Sequence, residues 1–183
     1  MTTYISILRG INVSGQKMIK MDALKEMYKD LHFTNIQIYI QSGNVIFQNI
    51  QSKQTDLGQK ISKELMRKFG FEIPVIVLDT FELKEIIEKN PFVSDETKDI
   101  SHLHVTFLSS KPELIDSSLF YQKKAPEEEF AITENAVYLY CPKGYGQTKL
   151  TNAFFENKLK VGATTRNWKT TLELHRIAEK QKE

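Results

Sequence analysis

A loop near the N-terminus, residues 9–17, carries the first residues whose types and spacing suit chemistry. It follows a predicted strand and precedes a predicted helix, whose free N–H groups and partial positive charge suit a phosphate group. Gly10 and Gly15 allow the backbone to approach an anion, while Arg9 offers a bidentate contact and Lys17 a point charge. Asn12 is a further candidate. Because the loop is neither a Walker loop nor a dinucleotide fingerprint, the alternative is a plain strand-to-helix connection.

A second loop, residues 143–149, has the same arrangement between a predicted strand and a predicted helix. A tyrosine stands between two glycines and is flanked by lysines, which suits stacking on a base. The candidate ligand-binding residues of this loop are Lys143, Gly144, Tyr145, Gly146 and Lys149. The alternative is that the loop only starts the next helix, with Thr148 as its N-cap.

Two further segments add candidate polar residues. Arg166 and Asn167 lie in a basic stretch before the last helix, which Asn167 is also suited to cap. Ser42 and Asn44 belong to a Ser-Gly-Asn turn, whose ordinary role is to connect two strands. Asn44 is also suited to donate to an anion if the turn lies near the first loop.

The sequence offers little for a metal or a nucleophile. His102 and His104 are two residues apart on a predicted strand, so they point to one face, but no further ligands have metal-site spacing. The single cysteine, Cys141, has no triad signature, and we expect a buried thiol. We therefore predict no metal site and no cofactor.

The apolar pattern of the first half predicts the elements that position these residues. Residues 4–8 predict a strand and residues 21–31 an amphipathic helix. Ile36, Ile38 and Ile40 alternate with other residues and predict a half-buried strand, paired through the turn with a strand at 45–47. A helix ending at Gly70, a strand at 73–78 and a helix opened by a capping box at 79–82 follow.

The second half gives the same order of elements. Strands are predicted at residues 102–108, 130–133, 136–141 and 161–165. One helix is predicted to open with a capping box at 110–113, and a closing helix covers 168–180. Between them, a third helix is predicted to carry on one face Leu150, Ala153, Phe154 and Leu159.

Each half thus has the order β-α-β-β-α-β followed by a helix, which is the order of a ferredoxin-like, or split β-α-β, unit. We predict an α+β protein with two tandem ferredoxin-like units, each with an extra closing helix, packed together. The predicted domains are residues 1–92 and 101–183, joined by a polar connecting segment at 93–100.

Composition excludes several classes of protein. The chain has 183 residues, of which 40% are hydrophobic and 26% charged, so it is not a disordered chain, and one cysteine excludes a disulfide scaffold. No apolar run approaches the roughly 20 residues of a membrane helix, and the N-terminus shows no signal-peptide pattern. We therefore expect a cytoplasmic protein without a membrane partner.

The net charge of +2 conceals an uneven distribution of charge. Residues 9–20 hold three basic residues and no acid, and residues 141–176 hold seven basic residues and two acids. Residues 92–140, by contrast, hold four basic residues and nine acids. This asymmetry is typical of an anion or nucleic-acid surface, or else of chance clustering on solvated faces.

Several segments together resemble a bacterial family called domain of unknown function 1697. They are SILRGINV at 6–13, QSGNV at 41–45, YLYCP at 138–142 and ATTRNW at 163–168. The resemblance covers nearly the whole chain and implies a two-part α+β fold of ferredoxin-like units in a cytosolic bacterial protein, but no activity. Two residues depart from the family pattern: Ser14 replaces a usual glycine and Thr148 a usual serine. Ser14 argues against a mechanism that needs a positive φ at that position.

Three classes of function stay open. The favoured one is binding of a nucleotide, a phosphorylated metabolite or a single-stranded nucleic acid in a cleft formed by Arg9, Asn12, Lys17, Lys143, Lys149 and Arg166. The second is hydrolysis of a phosphate or acyl phosphate with Arg9 and Asn44 as oxyanion ligands, by fold-level analogy with acylphosphatases. The third is a protein–protein interaction module that pairs through an open sheet edge. The sequence does not determine the ligand, the oligomeric state or whether the two loops face each other.

Overall fold

The computed structural model describes residues 1–181 and divides into two compact units. The first unit comprises Met1–Lys84 and the residues from Glu173 onward, and the second comprises Glu85–Leu172. These units differ from the predicted domains, which place residues 85–92 in the first half and residues from 173 onward in the second. Within the first unit, Gln48 Nε2 donates to the carbonyl oxygen of Gln181 at 2.6 Å, which ties the end of the last helix to the first sheet.

The first unit contains a four-stranded antiparallel sheet. Its elements are β1 (Thr2–Leu8), α1 (Met21–Asp30), β2 (Thr34–Tyr39), β3 (Asn44–Asn49), α2 (Gln54–Phe69) and β4 (Val75–Asp79), followed by α3 (Thr80–Glu88). The strand order is β2-β3-β1-β4, with Ile5 of β1 opposite Ile46 of β3 and Leu78 of β4. Gly70 ends α2 with a φ of +74°, as predicted.

The core of the first unit lies between one face of this sheet and the helices α1 and α2. Tyr4, Val45 and Phe47 supply the sheet side, and the helices supply Leu24, Met27, Tyr28, Leu57, Ile61 and Leu65. All are buried, and full burial of a large apolar side chain contributes about 1.5–3 kcal/mol. The apolar residues that recur at helical spacing in the sequence are therefore the ones that face the core.

The alternation predicted for β2 fails at its end. Ile36 and Ile38 pack against the core, but β2 ends at Tyr39, and Ile40 is exposed with a φ of +51°. The chain turns at residue 40 instead of continuing the pleat. The prediction that Ile40 belongs to a half-buried strand is therefore wrong.

The second unit contains another four-stranded antiparallel sheet. Its elements are β5 (Leu103–Leu108), α4 (Ser117–Lys123), β6 (Glu129–Ile132), β7 (Ala136–Tyr140), α5 (Asn152–Leu159) and β8 (Ala163–Asn167), followed by α6 (Trp168–Lys180). The strand order is β6-β7-β5-β8. One face of the sheet packs through Val137, Leu139 and Ala163 on Phe120, Phe155 and Leu159 of α4 and α5.

Two predicted helix starts in this unit are wrong. The capping box at residues 110–113 does not open a helix, because α4 begins only at Ser117, with Asp116 accepting from the Ser118 N–H. Thr148 does not cap α5, because Thr151 takes that position and accepts from the Phe154 N–H at 3.2 Å. Thr148 instead accepts from the Leu150 N–H at 3.1 Å.

The described residues thus form a mixed α+β structure with two four-stranded antiparallel sheets and six α-helices. In residues 1–181, the helices fall short of the length and apolar character needed to cross a bilayer.

Candidate functional site

The first loop, which follows β1, has an unusual backbone. Its residues with φ in the left-handed region are Gly10 (+72°), Asn12 (+53°), Ser14 (+50°), Gly15 (+73°) and Lys17 (+45°). A left-handed residue with a Cβ atom costs roughly 1–2 kcal/mol, so this loop holds its shape only if other contacts compensate. Ser14 reaches a positive φ without being glycine, so the departure from the family pattern does not prevent that conformation.

The side chain of Asn12 supplies these contacts. Its Nδ2 donates to the carbonyl oxygens of Ile19 at 3.1 Å and Gln41 at 2.9 Å, and its Oδ1 accepts from the Ile19 N–H at 2.8 Å. The Asn12 N–H also donates to the Lys17 carbonyl oxygen at 3.3 Å. We call this arrangement the Asn12 clamp. It joins the loop, and Ile19 just after it, to the turn after β2.

The two basic candidates of the loop are anchored at different points. Arg9 is half-buried at the end of β1, and its N–H donates to the carbonyl oxygen of Pro74 at 3.0 Å. Lys17 Nζ donates to the carbonyl oxygen of Glu72 at 2.7 Å. A carbonyl is neutral, so this bond positions the ammonium group without cancelling its charge.

The Ser42-Gly43-Asn44 turn lies beside this loop, as the anion-binding hypothesis requires. The Leu8 N–H donates to the Gly43 carbonyl oxygen at 2.8 Å, and Gly43 has a φ of +81°. The Asn44 side chain, however, is buried and donates to the Tyr39 carbonyl oxygen at 3.2 Å and to Ser42 Oγ at 3.0 Å. Since an amide has two N–H groups, these bonds occupy its donors and fix the turn.

The second loop is built differently. Gly144 has a φ of +89°, and residues 145–147 form one turn of 3₁₀ helix. Lys143 forms an ion pair with Glu127, which offsets its charge, whereas Lys149 is exposed. The loop therefore presents less positive charge than its sequence suggests.

Tyr145 is held in place on both its ring and its hydroxyl. The ring stacks on His104 with centroids 5.0 Å apart and an interplanar angle of 26°, and the hydroxyl donates to Thr165 Oγ1 at 3.1 Å. Burial lowers the pKa of His104 below its usual value of 6.5. Tyr145 is thus a fixed, half-buried side chain.

Thr165 is the centre of a hydroxyl network in the second unit. Its Oγ1 donates to Asn152 Oδ1 at 2.6 Å and accepts from Tyr145. Thr106 Oγ1 lies 2.7 Å from the same oxygen, and because the only Thr165 proton is already used, Thr106 is the donor there. The network rests on strand register, since Thr106 of β5 lies opposite Thr165 of β8.

Arg166 and Asn167 follow on β8. Arg166 is half-buried, its Nη1 donates to the Thr165 carbonyl oxygen at 2.9 Å, and burial lowers its pKa to about 10 although Tyr145 partly offsets this. Asn167 Oδ1 accepts from the Thr170 N–H at 2.8 Å. Asn167 therefore caps α6, which was the structural alternative for this residue.

The cysteine and histidines considered for nucleophilic or metal chemistry lie in surroundings that suit a role in packing. Cys141 is buried, as expected, and burial raises the pKa of its thiol to about 12. His104 Nδ1 lies 3.2 Å from the His102 carbonyl oxygen, so this nitrogen carries the proton. Within residues 1–181, His, Cys, Asp and Glu side chains do not gather into a group of three or more that would hold a metal ion.

The structure thus brings the first-loop residues and the Ser-Gly-Asn turn together in the first unit, and the second-loop residues, Arg166 and Asn167 together in the second. Sequence reasoning missed the partners that hold these groups, namely Ile19, Gln41, Thr106, Asn152 and Thr165. It also missed the pairing of His104 with Tyr145, although both stand in segments that the sequence singled out.

Comparison with known proteins gives a matching family model and a solved structure with a similar fold. The family model described as "Protein of unknown function (DUF1697)" matches residues 1–138, a range that includes the Asn12 clamp. A conserved bacterial protein of Streptococcus pneumoniae has a similar structure, with a TM-score of 0.71 and 23% sequence identity over 97% of this chain and 98% of that chain. That likeness shows a shared fold, and the comparison with curated proteins gives no match. The predicted family is confirmed: the chain belongs to the DUF1697 family of proteins of unknown function.

Proposed function

We propose that this protein binds a phosphate-bearing ligand at its first loop. The observation that carries the proposal is the Asn12 clamp, which holds the loop in one conformation through the Asn12 side chain. The loop and its continuation to residue 20 carry Arg9, Lys17 and Lys20 without an acid. Groups that are already ordered lose less conformational entropy when a ligand binds.

The glycines of the loop support contact between the ligand and the backbone. A Cβ atom at Gly10 or Gly15 would meet nothing within 4 Å, so the main chain is open to an approaching group there. Backbone N–H groups in such a curved loop form a concave surface that suits anions. Arg9 supplies the bidentate contact and Lys17 the fixed point charge.

The second loop is a secondary candidate for the same class of ligand. Lys149 is exposed, and Arg166 and Tyr145 both bond to Thr165, Arg166 through Nη1 to its carbonyl oxygen at 2.9 Å and Tyr145 through its hydroxyl to Oγ1 at 3.1 Å. The ion pair between Lys143 and Glu127 weakens this loop as an anion site. We therefore place the ligand at the first loop.

Binding is favoured over hydrolysis. The hydrolase hypothesis uses Asn44 as an oxyanion ligand, yet its Nδ2 donates to Tyr39 and Ser42. Releasing the amide would break both bonds, and a hydrogen bond of this kind contributes about 0.5–1.5 kcal/mol to stability. The Asn44 contacts thus support a structural role.

The fold proposal is that each unit is ferredoxin-like and that the two are tandem repeats. The order β2-β3-β1-β4 places the first strand between the third and the fourth, and β6-β7-β5-β8 does the same in the second unit. This is the sheet order that a split β-α-β unit with a following helix and strand produces. A bacterial, cytoplasmic protein is the setting that the DUF1697 resemblance implies.

The test is thermal unfolding with inorganic phosphate, nucleotides, phosphorylated sugars and short oligonucleotides, at low and moderate salt. A ligand at 100 times its dissociation constant stabilises the folded state by about 2.7 kcal/mol. A steep loss of binding with salt distinguishes a nucleic acid from a small phosphate. A panel without any shift would contradict the proposal.

Variants locate the site. Arg9→Ala and Lys17→Ala should abolish the ligand-induced shift, whereas Lys25→Ala, which removes an exposed lysine of α1, should leave it unchanged. An equal shift in Arg9→Ala and the unmodified protein would place the site elsewhere.

A further inference from the structure

Three large aliphatic side chains are exposed at the end of the first unit where the Asn12 clamp lies. Val13 is 56% exposed, Met18 is 62% exposed and Ile40 is 48% exposed. Large apolar side chains that lie together in water have an unfavourable hydration free energy, and such clusters mark interaction surfaces.

The hydrogen bonds of the clamp place these three residues around one side-chain amide. Val13 follows Asn12, Met18 precedes Ile19, and Ile40 precedes Gln41. Since the Asn12 amide bonds to the Ile19 and Gln41 carbonyl oxygens at 3.1 Å and 2.9 Å, all three Cα atoms lie within roughly 10 Å of that amide. We call Val13, Met18 and Ile40 the aliphatic triplet.

Ile40 has two features that do not stabilise the folded state. Its φ of +51° is rare for a β-branched residue, and its side chain is exposed instead of packed like those of Ile36 and Ile38. Asparagine or glycine would suit this backbone conformation better. An exposed, strained, apolar residue points to a role in binding.

The charge around the triplet indicates the kind of partner. Arg9, Lys17 and Lys20 lie on the segment that carries Val13 and Met18, and the sequence of the first unit has 14 Lys and Arg against 11 Asp and Glu. Cations beside aliphatic side chains complement a surface with anionic phosphates above hydrocarbon. The triplet contains no aromatic ring, which is the feature that a single-stranded nucleic acid would stack on.

We infer that this end of the first unit binds the surface of an anionic phospholipid bilayer. The aliphatic triplet enters the boundary between headgroups and acyl chains, and Arg9, Lys17 and Lys20 contact lipid phosphates. This inference rests on the proposed function, because the same cations hold the phosphate. It differs from the expectation of no membrane partner, which considered only segments long enough to span a bilayer.

The experiment is sedimentation of the full chain with vesicles of phosphatidylglycerol and phosphatidylcholine, compared with vesicles of phosphatidylcholine alone. We expect the protein to sediment with the anionic vesicles only. Met18→Ser combined with Ile40→Asn should weaken this binding roughly a hundredfold, because each aliphatic side chain withdrawn from water contributes about a factor of ten. Asparagine tolerates the backbone at position 40, so this variant should fold.

A matched control is Met66→Ser, which removes an exposed methionine from α2 in the same unit and should bind like the unmodified protein. Equal binding of the Met18→Ser, Ile40→Asn variant would overturn the inference, since charge alone would then explain the attraction. A concentration-dependent dimer by light scattering that the same variant abolishes would also overturn it, because a second copy would cover the triplet.

Titration with inorganic phosphate and glycerol phosphate separates this inference from the proposed function. If these soluble anions bind and anionic vesicles do not, the lipid inference fails while the phosphate site stands. If neither binds, both fail.

Discussion

Asn12 Nδ2 donates to the carbonyl oxygen of Gln41 at 2.9 Å, although the two residues are 29 positions apart in the sequence. This bond joins the loop after β1 to the turn after β2. It thereby holds the basic residues of the first loop and the exposed Ile40 in one arrangement. Both the phosphate proposal and the lipid inference depend on that arrangement.

Two variants of Asn12 should separate the contribution of its side-chain hydrogen bonds from that of its left-handed backbone. Asn12→Gly keeps the positive φ and loses the side-chain bonds, so we expect a loss of about 1–3 kcal/mol in the free energy of unfolding. Asn12→Ala should lose roughly 1 kcal/mol more, because alanine also carries the left-handed strain. Urea unfolding of both variants measures the difference, and equal stabilities would contradict the strain at this position.

Gly43 should tolerate no side chain. A Cβ atom there would lie 2.7 Å from Leu8 Cβ and 2.9 Å from Ile11 Cδ1, and the φ of +81° adds strain. We expect Gly43→Ala to cost about 2–5 kcal/mol. Gly70→Ala is the control, since its φ is +74° but nothing lies within 4 Å, and it should cost only about 1–2 kcal/mol. Similar chemical denaturation midpoints for the two variants would refute the close packing at Gly43.

The Thr165 hydroxyl should matter more than its methyl group. Thr165→Val keeps the shape but leaves Tyr145, Thr106 and Asn152 without their common partner, so we expect a loss of about 1–3 kcal/mol. Thr165→Ser keeps the hydroxyl and should lose less. Urea unfolding of the pair tests this, and a valine variant as stable as the serine variant would show that the network contributes nothing.

His104 should make stability fall in acid. Burial lowers its folded-state pKa below 6.5, so as pH falls through this value the unfolded chain takes up the proton first. The neutral ring therefore makes its full contribution to the free energy of unfolding above about pH 6.5. This contribution is lost as pH falls through the folded-state pKa. His104→Phe keeps an aromatic ring on Tyr145 and should flatten the dependence. Denaturant unfolding on both sides of pH 6.5 provides the comparison, and parallel curves for the two proteins would contradict it.

Much of the secondary structure follows from local sequence. The last helix has its predicted bounds, and the predicted capping box at 79–82 forms, because the Asp79 N–H donates to Glu82 Oε2 at 3.1 Å and the Glu82 N–H donates to Asp79 Oδ1 at 2.8 Å. These features need only neighbouring residues and an apolar period.

The failures have physical reasons. The pattern at residues 110–113 satisfies a capping rule, but Leu114 and Ile115 are exposed and give a helix no face to bury there. Thr148 and Thr151 both suit an N-cap, and local sequence does not choose between them. The alternation of isoleucines continues one residue beyond β2, where the backbone turns.

The candidate site also has features that the sequence predicts and features that it does not. Its glycines and cations are visible in the sequence because their types are unusual for a loop. The Asn12 clamp is not visible in the sequence, since an asparagine amide can bond to a ligand or to a backbone carbonyl oxygen equally well. The Thr106–Thr165 contact joins residues 59 positions apart and depends on strand register, which the sequence does not specify.

The burial of Cys141 has a practical consequence for labelling. Thiol reagents attack the thiolate, and a pKa of about 12 keeps this sulfur protonated and unreactive near neutral pH. Since the chain has one cysteine, a new cysteine at an exposed position such as Gln16 would be the single reactive thiol. A polarity-sensitive fluorophore attached through Gln16→Cys would then report whether the tip of the first loop leaves water, with the native sulfur left in place.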